Sequence, residues 1–239
     1  MNDMAIQGTK AVFVGNIKGG VGKSTLTVYL TDYLRKRLKR KEIVLLDTDP
    51  QGTSFEMLEP ISQNGGARFL PVGDRYDGVN MSTLDGVLRR FLAQDSGVVI
   101  VDTGAGKIAN LWQIAVLCNV LLVPTSMSWT DLRPTLDFIK EIDERKADYN
   151  SMTPHIIVVP NRVPPQQRHF DQLSQALQSV NAILAPPISE LSAARSSAEG
   201  FTGLDGAKDT RFFHEVERLG AFIVDYALSG KLDQFYGEN

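Results

Sequence analysis

The chain of 239 residues has a single cysteine, Cys118, which leaves no internal disulfide open to it and points to a reducing compartment. It also lacks any apolar stretch near the roughly 20 residues of a membrane span. The longest uncharged run, around Val120-Leu121-Leu122-Val123, is stopped by Pro124. The first residues, Met1-Asn2-Asp3-Met4-Ala5, have neither the basic start nor the apolar core of a secretory leader. Basic excess is missing too: 25 Lys and Arg against 28 Asp and Glu give a net charge of −3, so any nucleic-acid contact must come from a local patch. There is no repeat, low-complexity tract or convincing linker. With 43% hydrophobic and 22% charged residues, the expectation is one soluble, cytoplasmic domain spanning 1–239.

What is present centres on one stretch, Asn16-Ile17-Lys18-Gly19-Gly20-Val21-Gly22-Lys23-Ser24-Thr25. It follows the apolar run Ala11-Val12-Phe13-Val14 and opens a helical pattern near Ser24, with Leu26, Leu30, Tyr33 and Leu34 forming one stripe. A strand, a glycine-rich turn and a helix N-terminus together make an anion site: N–H groups point inward and the helix dipole favours negative charge. In such a phosphate loop Lys23 reaches the β- and γ-phosphates and the Ser24 hydroxyl ligates Mg²⁺. The strict pattern wants glycine where Ile17 stands, and a second lysine, Lys18, follows it.

Two more apolar runs end in aspartate. Ile43-Val44-Leu45-Leu46 leads to Asp47-Thr48-Asp49, and Val98-Val99-Ile100-Val101 leads to Asp102-Thr103-Gly104. Buried strands are also expected at 120–123 and 156–159, and an edge strand at 68–72, where Pro71 cannot serve a central ladder. Helices are expected from Ser82 as cap to about Ala93, over 132–146 with Pro134 in the first turn, over 170–184 and over 212–228. Residues 53–66 read as a loop with room for a helical turn, 196–207 as a surface loop, and Pro186-Pro187-Ile188 as a short extended piece. Strands alternating with helices predict an α/β fold, a mostly parallel twisted sheet with helices on both faces. Ligands in such sheets sit beyond the carboxyl ends of the strands, so the loop and both aspartate-ended strands should converge on one nucleotide site. A triphosphate with Mg²⁺ needs backbone donors, a lysine, a hydroxyl and carboxylates, all of which are supplied.

Lys18-Gly19-Gly20-Val21-Gly22-Lys23-Ser24 resembles the deviant Walker A motif of the ParA/MinD ATPases, with Lys18 as its signature lysine. Asp47-Thr48-Asp49-Pro50-Gln51-Gly52 is similar to the DxDPQG segment of the ParA side, and Asp102 stands at the Walker B aspartate. Pro124-Thr125 and Pro160-Asn161-Arg162 resemble later landmarks. The resemblance implies a P-loop fold and an ATP-sandwich homodimer using ATP and Mg²⁺, with slow hydrolysis stimulated by a ParB-like or other cargo adaptor. It implies that Lys18 crosses to the partner's phosphates, that Thr25 supports the α-phosphate and that Asp49 orients the attacking water. Asp47 and Asp102 would hold the metal through water, Asn161 would meet the adenine edge, and Pro187 and Ile188 would border the base. One departure is Asp102-Thr103-Gly104-Ala105-Gly106, where relatives carry prolines after the aspartate.

Within that family the DPQG segment favours a partition ATPase that binds non-specific DNA in its ATP state and associates with the nucleoid while positioning a plasmid, chromosome or protein cargo. Candidate DNA-binding cations are Arg195, Lys208, Arg211 and Arg218, with the run 35–41 either a second patch or a solvated helix end. A membrane-associated MinD-like regulator would need a basic amphipathic tail, and the acidic segment 231–239 is a poor one, so no membrane partner is expected. The single cysteine excludes a cluster shared across a nitrogenase-type dimer, and the lone tail tyrosine, Tyr236, argues against a bacterial tyrosine kinase. With about ten residues before the first strand, no N-terminal helix-turn-helix is expected. A ligase or synthetase on the same scaffold is the alternative from another class.

Overall fold

The computed structural model describes residues 6–38, 41–62, 67–71, 73–74, 78–94, 96–104, 112–148, 154–164, 166, 170–190, 203–207, 210–229 and 231. In chain order the strands are β1 (Gly8–Val14), β2 (Glu42–Asp47), β3 (Ala67–Pro71), β4 (Gly73–Asp74), β5 (Gly78–Val79), β6 (Ser96–Asp102), β7 (Val120–Thr125), β8 (His155–Pro160) and β9 (Ile183–Leu184). The α-helices are α1 (Lys23–Arg37), α2 (Thr53–Ser62), α3 (Met81–Leu92), α4 (Trp112–Ala115), α5 (Trp129–Asp148), α6 (Asp171–Leu177) and α7 (Arg211–Phe222).

Seven strands form one parallel sheet in the order β3-β2-β6-β1-β7-β8-β9, while β4 and β5 make a separate two-stranded antiparallel hairpin. Every central strand is apolar on both sides because both sides are covered. Val12, Val14, Ile43, Leu45, Val98 and Ile100 pack with α1, α2 and α7 through Leu30, Leu34, Leu58 and Leu219. Their neighbours Ala11, Phe13, Val44, Leu46, Val99 and Val101 pack with α3, α5 and α6 through Leu88, Ile139 and Leu173. The chain leaves β1 toward β2 and later crosses back from β6 to β7 on the other side of β1. The strand order therefore switches at β1, and the loop after it opens into the resulting crevice. Register places Val14 opposite Asp102 and Asp102 opposite Asp47, so the three strand ends finish level.

Several local details differ from the sequence pattern. Within 53–66 the chain builds the ten-residue α2, because Leu58 is fully buried and Asp47 Oδ2 accepts from Phe55 N at 2.9 Å at the helix start. Helix α3 is capped by Asn80, not Ser82: Asn80 Oδ1 accepts from Thr83 N at 3.1 Å and from Ser82 Oγ at 2.8 Å. Helix α5 begins at Trp129, which puts Pro134 inside it beyond the first turn. The helix expected over 170–184 stops at Leu177, and Ile183–Leu184 pairs with the otherwise open edge of β8. The final helix runs as expected to Leu228 but widens to a π-helical turn over Ile223–Leu228. Within 196–207, Leu204–Ala207 forms a 3₁₀ turn with Leu204 buried. No helix among the described residues is long and apolar enough to cross a membrane.

Candidate nucleotide site

The loop after β1 is held from below by Asn16, a fully buried residue that the sequence reading passed over. Its Nδ2 donates to Pro124 O and to Thr135 Oγ1, both at 2.9 Å, and its Oδ1 accepts from Lys18 N at 3.1 Å. Ile17, where the strict motif would have glycine, packs against the cluster beneath α3 and α5. Gly20 and Gly22 have φ of 74° and 87°, the left-handed region that glycine enters at least cost. Gly22 is also the N-cap of α1, whose first turn brings Lys23, Ser24 and Thr25 to the crevice. Gly19 and Gly20 face solvent, and Val21 is buried. A Cβ on Gly22 would collide with Asn161 Nδ2, which itself donates to Val21 O at 2.8 Å. The side chain expected at the adenine edge thus touches the phosphate loop directly.

The two lysines go different ways. Lys23, buried, folds back and donates from Nζ to Lys18 O at 2.9 Å. Burial pushes its pKa down, opposed by the charges of Asp102 and Asp49. Lys18 turns outward and pairs with Asp131 Oδ1 at 3.2 Å, in the first turn of α5. Asp131 is a second residue that the sequence reading missed; its other oxygen accepts from Ser126 Oγ at 2.7 Å.

The three aspartates are brought together but are not equivalent. Asp47 uses both oxygens to shape its own loop: Oδ1 accepts from Asp49 N, and Oδ2 from Ser54 Oγ and Phe55 N. Asp49 lies half-buried, with Oδ1 accepting from Gln51 N at 2.9 Å. A Cβ on Gly104 would sit 3.2–3.3 Å from its carboxylate, so the missing side chain at 104 is what lets Asp49 lie against the Walker B loop. Asp102 is fully buried at the end of β6. Its Oδ1 accepts from Thr27 Oγ1 at 2.9 Å, and its Oδ2 has no hydrogen-bond partner among the described residues. Burial and then the neighbouring Asp47 charge push the Asp102 pKa up to about 7, against the pull of hydroxyls from Ser54, Thr27 and Ser24. A buried carboxylate oxygen left unpartnered beside a serine at a helix start suits a hard cation with water ligands. The donors present therefore fit Mg²⁺, and Ser24 and Asp102 are the residues that would hold it.

Next to the loop opens a cavity of about 360 Å³, lined on one side by Gly22, Thr25 and Tyr29, and on the other by Asn161, Ile188 and Phe212. Arg162, also in the lining, is the one non-glycine residue among those described with positive φ, at 53°. Ile188 is buried at this wall and Pro187 beside it is half-buried.

The cations considered for DNA are more dispersed. Arg195 and Lys208, like Ala105 and Gly106, lie outside the described residues. Arg211 Nε donates to Glu215 Oε1 at 2.7 Å, and Arg218 is exposed on α7. In the 35–41 run, Arg35 and Lys36 both pair with the buried Asp32, Lys36 also reaches Asp205, and Lys41 Nζ donates to Ile6 O. Those side chains are tied to the body of the fold, as a helix C-terminus would have them.

The profile of the CobQ/CobB/MinD/ParA nucleotide binding domain matches residues 12–201. No curated protein sequence matches the chain. Among solved structures, a plasmid partition protein from Borrelia burgdorferi B31 bound to AMPPNP is 19% identical, covering 91% of this chain and 99% of its own, with TM-score 0.66. An aspartate-to-alanine variant of Cyanothece McdA in complex with ATP is 16% identical over 91% and 95%, with TM-score 0.66. The septum site-determining protein MinD from Pyrococcus horikoshii OT3, complexed with Mg-ADP, is 16% identical over 96% and 98%, with TM-score 0.61.

Proposed function

The chain belongs to the CobQ/CobB/MinD/ParA nucleotide-binding family, and we propose that it is a ParA/MinD-type, Mg²⁺-dependent ATP switch. In this reading it dimerises on ATP, binds non-specific DNA in that state and positions a plasmid, chromosome or protein cargo over the nucleoid. The observation that carries the reading is the split between the two loop lysines. Lys23 is buried against its own loop, whereas Lys18 points out to a partly exposed partner it can leave.

The loop N–H groups and the N-terminus of α1 receive the phosphates. Lys23 exchanges its bond to Lys18 O for phosphate oxygens, and its charge is kept by Asp102 and Asp49 nearby. Ser24 and Asp102 would hold Mg²⁺, the carboxylate by way of water, and the ion would supply positive charge to the phosphate oxygens. Asp47 supports that site by its charge and by fixing the loop that carries Asp49. Asp49 orients the water for attack, and Thr25 steadies the α-phosphate. Asn161, Pro187 and Ile188 border the base. Lys18 leaves Asp131 for the partner's phosphates and stabilises charge on the transferring group, as an arginine finger does. A site without a stronger base than Asp49 turns over slowly until an adaptor completes it.

Retention on random-sequence DNA at low salt, with ATP and without it, tests the reading. Binding only with ATP, lost steeply as salt rises, is the expected result. Lys18→Ala should keep nucleotide binding but lose the ATP dimer and hydrolysis. Full turnover by that variant would remove the trans-lysine role. Turnover that demands a small co-substrate and ignores DNA would move the protein to the synthetase class.

A further inference from the structure

Glu215 is a buried acid on α7, a helix given no part in nucleotide binding by the motifs. Both of its oxygens are engaged. Ser189 N donates to Oε2 at 2.7 Å, Ser189 Oγ donates to Oε1 at 2.7 Å, and Arg211 Nε donates to the same Oε1 at 2.7 Å. Ser189 is itself a cavity residue, between Ile188 and Glu190, which also line it. On the α7 side, Phe212 and Val216 line the same cavity and directly follow Arg211 and Glu215 in sequence. The carboxylate therefore joins the two elements that face each other across the space beside the phosphate loop.

The joint extends to the loop itself. Val163 N donates to Ile188 O at 3.0 Å and Glu190 N to Val163 O at 2.8 Å, so the wall at 188–190 is laced to the segment that begins at Asn161. Asn161 Nδ2 then donates to Val21 O in the phosphate loop. Hydrogen bonds, joined by the short backbone stretches 161–163 and 188–190, thus connect Val21 through Asn161, Val163 and Ser189 to Glu215 and Arg211.

We propose that Glu215 is a positioning residue for the nucleotide: by holding Ser189 against α7 it sets the shape of the cavity that takes the base. This rests on the nucleotide reading of the site. The linkage reaches the phosphate loop only at its far end, at Val21 O, whereas Lys23 is held by Lys18 O, so loss of Glu215 should be felt by the base much more than by the phosphates. A residue needed only for folding would affect both alike.

The test is calorimetric titration of the full chain with ATP and with inorganic tripolyphosphate, each with Mg²⁺. Glu215→Ala should weaken ATP about tenfold, as expected for a charged hydrogen-bond anchor, while leaving tripolyphosphate within about twofold. Ser189→Ala, which removes one bond and leaves the acid in place, should weaken ATP about threefold and add nothing when combined with Glu215→Ala. If Glu215→Ala does not fold, Ser189→Ala and Glu215→Gln decide the matter by the same ratio. Equal losses for ATP and tripolyphosphate, or no loss for either, overturn the proposal. Failure of the unmodified protein to bind ATP at all would instead overturn the nucleotide reading beneath it.

Discussion

Replacing Asp102 by asparagine should make the nucleotide-free protein more stable at neutral pH, by an amount that depends on pH in a defined direction. In the fold, Asp102 keeps its proton until about pH 7, whereas its ordinary value is 3.8. Burial is the larger cause and the charge of Asp47 the second. Between those values the folded chain holds a proton that the unfolded chain has released, so stability falls as pH rises through the window and levels off above 7. At about 1.4 kcal/mol per pH unit, the distance from 3.8 to about 7 makes a penalty of about 4 kcal/mol. Asparagine keeps an acceptor for Thr27 Oγ1 and cannot ionise, so Asp102→Asn lacks that slope. Urea unfolding of both proteins from pH 5 to 8, without nucleotide, reads the difference. The variant's advantage should grow from pH 5 to about 7 and level off above it, and adding Mg²⁺ with ATP should erase much of it by holding the native carboxylate ionised. Parallel curves for the two proteins would refute the argument that this carboxylate is the strained member of the site.

Gly104→Ala places a methyl group 3.2–3.3 Å from the Asp49 carboxylate, closer than a relaxed contact, and should displace it. ATP hydrolysis is expected to fall about tenfold or more with nucleotide affinity nearly unchanged, measured by phosphate release and titration. Asp131→Ala releases Lys18 from an ion pair that is partly exposed on both sides, worth at most about 1 kcal/mol. Two such pairs break per dimer, so ATP-dependent self-association, followed by light scattering, should strengthen by no more than about thirtyfold, and a weaker dimer would show that Asp131 assists the crossing instead of restraining it.

Much of the site was readable because its signals are local. Apolar runs ending in glycine or aspartate predict β1, β2 and β6, and a parallel sheet brings such ends to one edge whatever the remaining sequence. Misreadings fell where tertiary contacts overrule short patterns. Residues 53–62 become helical because Leu58 finds a pocket and Asp47 reaches across the turn to cap them. Ile183 and Leu184 leave a helical pattern because the edge of β8 offers two strand pairings.

By itself the sequence determined the α/β class, the phosphate loop with its two lysines, and the three aspartates that accompany it. The loop and each aspartate-ended strand are matters of residue type and spacing over about ten residues, and the class follows from how such segments alternate along the chain. The folded chain decided what the lysines and carboxylates do at rest. Lys18 turns to Asp131, Asp102 keeps one oxygen unpartnered, and Glu215 joins Ser189 to α7. Such pairings join residues far apart in the chain, as Asn161 and Val21 are 140 positions apart, and no local pattern encodes which of many polar groups will meet once the strands are laid side by side. The physical reason is desolvation: burial makes each polar group seek a partner, and only the packing of the sheet and helices determines which partner is within reach.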